Sequence, residues 1–350
     1  MEVSTVKKAI SIFLILALAV CLFAGCAGTP VIYYSNCTCP TGSHTGYTPA
    51  EGELKTGLAI AASVGKSENA KAADYDVTIV AVTVDNSGVI QDCIIDSVGA
   101  KVEFNDKGVI TSDLTADILT KNELGDNYGM KAYGNAKYEW YEQAAALANY
   151  AKGKTVAELK KGAVNEAGKA ADADLASTAT IYLGGYVAAI EKAVAGAKHL
   201  GAQAGDELKL AVINGVGSST SATAEKAGTA QLDCDVVALT EKDGIITSCA
   251  IDSLQAKVSF DTTGTISTDL KADVLTKNEL GENYGMVAWG GAIAEWNEQA
   301  ASFAAYVTGK TAAEVAGIAV SEGKPSDVDL SASVTIAIGG FQALIAKAMQ

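Results

Sequence analysis

The sequence predicts an α+β protein built from two tandem domains of one fold, strands and hairpins first and helices after. Three observations carry that expectation. SDLTADILTKNELGDNYGM at 112–130 returns as TDLKADVLTKNELGENYGM at 268–286, identical at 15 of 19 positions after an offset of 156 residues. The early part of each copy alternates branched apolar with polar residues, the period of a half-buried strand. The later part of each copy keeps apolar residues at helical spacing. An offset this long is a whole domain, because solenoid repeats run only about 20 to 50 residues.

The N-terminus comes first in chain order. Lys7 and Lys8 precede an apolar run from Ala9 to Ala24, which closes as Phe23-Ala24-Gly25-Cys26. A basic start, an apolar stretch and small residues at the cut describe a secretory signal peptide over residues 1–25. The run of about 16 apolar residues falls short of the roughly 20 that a spanning helix requires. Small residues followed at once by Cys resemble a bacterial lipobox, which implies that Cys26 becomes the lipidated first residue and a membrane anchor. Residues 26–53 are rich in Gly, Thr, Ser and Pro and read as a tether. The two repeat domains are expected at 54–200 and 205–350.

Within each copy the strands lead. DYDVTIVAVTVDNSGVIQDCIIDSV reads as two strands turning at Asn86-Ser87-Gly88, and its partner turns at Lys242-Asp243-Gly244. KVEFNDKGVI (101–110) and KVSFDTTGTI (257–266) suggest a further hairpin each. Helices follow. Ile293, Trp296, Ala300, Phe303, Ala304 and Val307 form an apolar stripe, with Trp140 and Trp296 read mainly as core. Gly153 and Gly309 sit where a helix C-cap belongs, and Thr155/Glu158 and Thr311/Glu314 read as capping boxes of the next helix. Gly-Lys-Thr is not a phosphate loop, since the first glycine of that motif would fall at Ala148.

Composition removes several function classes. The chain contains no Arg and carries a formal charge of −15, which becomes −16 when Glu2, Lys7 and Lys8 leave with the leader. Nucleic-acid binding needs a basic face, so that class is excluded. Cys37, Cys39, Cys93, Cys234 and Cys249 follow Cys26 without a Cys-x-x-Cys pair or a histidine at ligand spacing, so no metal site is expected. Their disulfide pairing is not readable. The two histidines, His44 and His199, have no counterparts in the other copy, so neither repeat can build a Ser-His or Cys-His nucleophile. Asp172 and Asp174 are acid–base candidates in residue type alone, and solvated carboxylates are the commoner case. No catalytic residue is assigned.

One duplicated stretch has more to say. DADLASTATI (172–181) returns as DVDLSASVTI (327–336), and Thr180 and Thr335 stand shortly before Gly-Gly and an Ala-rich helix. A hydroxyl entering a helix is ordinarily an N-cap. The same arrangement suits a phosphate, because free N–H groups and the positive dipole end stabilise an anion and glycines allow close approach.

The Asp stretch, Ser177-Thr178-Ala179-Thr180 and the helix after it resemble the extracytoplasmic FMN-binding domain family. With Lys-Asn-Glu-Leu-Gly, Tyr-Gly-Met, Glu-Trp-x-Glu-Gln and the lipobox, the tandem is similar to Gram-positive lipoproteins of extracellular electron transfer, the peptide-pheromone-precursor type. The family motif is Ser/Thr-Gly-Ala-Thr, so Thr178 and Ser333 stand in place of its Gly, Ala332 in place of its first hydroxyl and Val334 in place of its Ala. The terminal Thr is shared by both copies.

The resemblance implies two FMN groups, joined through phosphate to Thr180 and Thr335 by a separate flavin transferase that uses FAD, with Ser177 beside the first. Tyr128 and Met130, and Tyr284 and Met286, are candidates to line the flavin rings, with core packing as the alternative. Lys121 and Lys277 are candidates to favour a reduced flavin anion, with a solvated lysine as the alternative. The implied function is a cell-surface electron carrier fed by a membrane quinol or flavin system and discharging to soluble flavins or metal oxides. The competing expectation is a cofactor-free binding or adhesive lipoprotein, with both threonines as helix caps.

Overall fold

The structure is a computed structural model and describes residues 52–350. The expected leader, Cys26, Cys37, Cys39 and His44 lie outside the described residues. The described residues form one compact unit.

In the first half, β1 (Lys55–Ser63), β2 (Ala72–Val84) and β3 (Ile90–Glu103) form an antiparallel meander in the order β1-β2-β3. Then come α1 (Lys121–Leu124), a 3-10 turn at Gly125–Tyr128, α2 (Met130–Gly134), α3 (Trp140–Ala151), α4 (Val156–Ala163), α5 (Ala173–Thr178) and α6 (Gly184–Ala195). The second half repeats the plan. Its meander is β4 (Glu207–Gly215), β5 (Gly228–Lys242) and β6 (Ile245–Phe260), in the order β4-β5-β6. Its helices are α7 (Lys277–Leu280), α8 (Met286–Gly290), α9 (Trp296–Val307), α10 (Ala312–Ala316), α11 (Val328–Ser331) and α12 (Gly339–Ala348), with a small ribbon of β7 (Val320–Ser321) and β8 (Lys324–Pro325) before α11. The chain is α+β, with two like halves.

The β5–β6 turn is two residues long, Asp243 and Gly244, both at positive φ, the geometry that matches the twist of a tight hairpin. The suggested hairpins at 101–110 and 257–266 are reduced to single bridges, Phe104–Ile110 and Phe260–Ile266. Both capping boxes are present at Thr155/Glu158 and Thr311/Glu314, and Gly153 and Gly309 have positive φ just before them. The apolar stripe of α9 is buried from Trp296 to Val307, but Ile293 lies before the helix and is exposed.

Strand alternation builds two cores in each sheet. In β2, Val80, Val82 and Val84 face α3, α4 and α6, meeting Leu147, Leu159, Leu183 and Ile190. Tyr75, Val77 and Ile79 point the other way, into a core shared with Leu232, Cys234 and Val236 of β5. The two sheets therefore pack face to face with helices outside, so each half has its own helix–sheet core and the two share the core between the sheets. Phe104 and Phe260, at equivalent positions, stack at 4.0 Å with planes 2° apart.

Cross-half polar contacts obey the same pseudo-symmetry. Lys192 of α6 reaches Glu279 at 2.7 Å, and Lys347 of α12 reaches Glu123. Residues 53–56 also pair with the connector, through Glu53–Gln203 and Thr56–Lys198 bridges.

Candidate functional site

The repeated Asp stretch opens a short helix. Asp172 caps α5 by accepting N–H bonds from Asp174 and Leu175 at 3.0 Å each, and Asp327 does the same for Asp329 and Leu330 of α11. Ser177 donates to the Asp174 carbonyl at 2.7 Å and Thr178 to the Leu175 carbonyl at 3.1 Å, so both hydroxyls turn back onto their own helix. Ala179, and Val334 in the second half, then plug the core. Thr180 and Thr335 follow, the first exposed and the second half-buried.

Neither threonine is a helix cap. The cap positions of α6 and α12 are Leu183 and Ile338, both fully buried, and neither helix has a side-chain cap bond. An apolar residue occupies the cap because the chain is anchored there into the core. The first N–H groups of each helix are left without a side-chain partner. A Cβ added at Gly184, Gly185, Gly339 or Gly340 would meet nothing within 4 Å, so the space beside these first helical residues is open. A threonine three residues ahead of Leu183 or Ile338, at an uncapped, glycine-lined helix start, suits a phosphate diester that joins its hydroxyl to a bulky group. Lys169 adds a cation there, donating to the Thr180 carbonyl at 2.7 Å and standing 3.7 Å from the centre of the Tyr182 ring.

Each threonine is held by one buried amide. Gln143 of α3 is 0 % exposed, and its Oε1 accepts from the Thr180 N–H at 2.7 Å, the Thr180 hydroxyl at 3.2 Å and the Ile181 N–H at 3.1 Å. Gln299 of α9, also 0 % exposed, accepts from the Thr335 N–H at 2.8 Å and hydroxyl at 3.2 Å. These glutamines belong to the repeated Glu-Trp-x-Glu-Gln segment, yet nothing in its spacing points to a residue 37 positions away in the first half or 36 in the second.

The same segment places the Tyr-Gly-Met turn. The buried Glu139 carboxylate accepts from the Met130 N–H at 2.7 Å and the Lys131 N–H at 2.9 Å, and Glu295 grips Met286 and Val287 likewise. Met130 Sδ lies 3.9 Å from Gln143 Nε2, so Met130 and Thr180 flank one amide. Met130 and Met286 also pack against the helix–sheet cores. Tyr128 and Tyr284 belong to a neighbouring arrangement around Lys121 and Lys277.

That arrangement differs from a solvated lysine. Lys121 is only 9 % exposed, its ammonium 5.2 Å from the Tyr128 ring centre and 5.1 Å from that of Trp140. Lys277 sits 5.3 Å from Tyr284 and 4.8 Å from Trp296, and burial pushes its pKa below the ordinary lysine value. In the second half a cavity of about 320 Å³ opens there, lined by Lys277, Lys257, Gln255, Asn283 and Tyr284, among others. A shallower groove of about 560 Å³ runs between α3 and α5, walled by Tyr138, Tyr150 and Thr178.

The described cysteines are free and buried. Burial raises the Cys93 and Cys249 thiols to about 12 and Cys234 further, which keeps all three unreactive. His199 lies 3.3 Å from Glu53, at the connector between the halves. Among the described residues, no helix is long and apolar enough to cross a membrane. Comparison of the chain with family models, with curated proteins and with solved structures returns no match.

Proposed function

We propose that the chain is a cell-surface lipoprotein, anchored at Cys26, that carries one covalent FMN on Thr180 and one on Thr335 for extracellular electron transfer. The observation that carries this reading is the doubled arrangement of a threonine hydroxyl ahead of an uncapped, Gly-Gly helix start. When bound, FMN supplies the redox chemistry, and the chain supplies position and charge. Thr180 and Thr335 would hold the phosphate with the first N–H groups of α6 and α12, while Ser177 and Thr178 keep α5 intact beside the first site. Lys169 would add positive charge to the phosphate of the first half. The methionines Met130 and Met286 and the tyrosines Tyr128 and Tyr284 would bound the ring environment, with the buried Lys121 and the half-buried Lys277 favouring negative charge nearby. Electrons would arrive from a membrane quinol or flavin system and leave to soluble flavins or metal oxides, so the chain acts as a carrier and not as a turnover enzyme.

Intact mass after co-expression with a flavin transferase tests the reading. The expected result is an increase of two FMN groups, falling to one in Thr180→Ala or Thr335→Ala and to none in the double variant. An unchanged mass in the wild type would overturn it. A cofactor-free binding lipoprotein is the second reading, and one observation favours it: Tyr133 and Trp289, at equivalent positions of α2 and α8, are 92 % and 82 % exposed. Binding to a cell-wall or protein surface that survives the double threonine variant, in protein without flavin, would support that reading.

A further inference from the structure

We infer that Gln143 and Gln299 are positioning residues that present the threonine hydroxyls for flavin transfer, an inference that rests on the flavin reading above. Two backbone N–H groups, those of Thr180 and Ile181, converge on one atom of Gln143. N–H groups only donate, so that atom is the amide oxygen and the orientation of the side chain is settled. The Nε2 of Gln143 is fixed from the other side by the Tyr138 carbonyl at 2.9 Å, and that of Gln299 by the Ala294 carbonyl at 2.8 Å. Both glutamines are fully buried on the rigid α3 and α9, so the amide cannot swing away.

The consequence falls on the hydroxyl. With its proton directed at the amide oxygen, Thr180 Oγ1 keeps its lone pairs for an incoming phosphorus, on a residue that is itself exposed. In the transfer, a bond forms between Oγ1 and the flavin-side phosphorus of FAD while the pyrophosphate P–O bond breaks. AMP leaves and the hydroxyl proton passes to solvent, with no change of oxidation state. The product ester has no proton for Gln143, which keeps its N–H partners and so still holds the loop. Free rotation of the threonine would instead spread Oγ1 over three staggered positions.

The two copies supply an internal control. Full-length Gln143→Leu is incubated with flavin transferase and FAD, and FMN on the Thr180 and Thr335 peptides is followed by mass against time. The expected result is a rate at Thr180 at least about tenfold lower with Thr335 unchanged, in line with the cost of misplacing a reacting group. Gln299→Leu should show the mirror image. Gln143→Glu adds a second readout. Only its protonated form can both accept from Thr180 and donate to the Tyr138 carbonyl, so its rate relative to wild type should rise as pH falls. Equal rates at both threonines in the Leu variants, or a Glu variant that tracks wild type at every pH, would overturn the positioning role while leaving the flavin reading intact. Absence of FMN from the wild-type protein would remove both.

Discussion

Asp96 and Asp252 bring carboxylates into surroundings that disfavour charge. Burial raises each to about 6, against smaller opposing contributions from the Thr120 or Thr276 hydroxyl and two backbone N–H groups. The N–H donors are Ser97 and Asn122 for Asp96, and Ser253 and Asn278 for Asp252, all meeting one carboxylate oxygen. A folded pKa above the unfolded value means that the stabilisation is complete below the ordinary value of 3.8 and is lost as pH rises through about 6. Stability should therefore fall between about pH 4 and pH 7, by up to roughly 3 kcal/mol per aspartate for a shift of two units. The double variant Asp96→Asn, Asp252→Asn keeps the accepting oxygen without the charge. Urea midpoints across this window should lie on a flatter curve for it, and an unchanged slope would show that these groups do not titrate there.

At the scale of single elements, helix starts divide into two kinds. Those of α4 and α10 are closed by reciprocal caps, and those of α6 and α12 are open. Thr155→Ala and Thr311→Ala should each lose about 1 kcal/mol in chemical denaturation. Gly184→Ala should do the reverse. Its added methyl meets no atom within 4 Å, and Ala exceeds Gly in a helix by up to about 1 kcal/mol. On the proposed flavin reading, the same methyl would crowd a phosphate approaching the first N–H groups of α6. The expected outcome is a protein that melts no lower than wild type yet takes up less flavin at Thr180, with Thr335 unaffected. Equal uptake at both threonines would place the phosphate elsewhere.

The described residues form one compact body made of two like halves. Because the sheets share a core, Phe260→Ala should lower a single unfolding transition by about 3–5 kcal/mol, with no separate early melting of the second half. Two independent calorimetric transitions would contradict this. The reciprocal lysines give the assembly an acid limit. Burial alone would raise Glu123 and Glu279, but Lys347 and Lys192, with the N-cap threonine N–H groups, bring both below the ordinary glutamate value of 4.5. Their contribution is thus present above about pH 4.5 and is lost as pH falls through the lower folded value. In Lys192→Met, Lys347→Met the acid unfolding midpoint should move to higher pH, and an unmoved midpoint would mean that these pairs add nothing.

What the amino-acid order determined by itself is the local and the repeated. The doubled 112–130 and 268–286 segments implied two like halves, and both halves carry a meander in the same strand order. Thr-x-x-Glu boxes and the Asp243-Gly244 turn were legible because their chemistry closes within a few residues. Alternation along β2 marked it as a strand but did not reveal what each face meets. Only the packed structure turned Val77 toward the other half and Val80 toward the helices, and made one compact unit of the two repeats. The same limit governs the candidate site. Thr180 and Thr335 stood out from their repeated neighbourhood, while Gln143, 37 residues away, gained its part only when α3 packed beside α5 and the segment after it. A cap is named by sequence position, yet Leu183 took that place because burying it anchors the helix, which left the threonine outside. Lys121 reads as a surface lysine in sequence, and tertiary packing set it between two aromatic rings. Short-range geometry is written in neighbouring residues, whereas the identity of a buried partner depends on which distant surfaces remove the most apolar area from water.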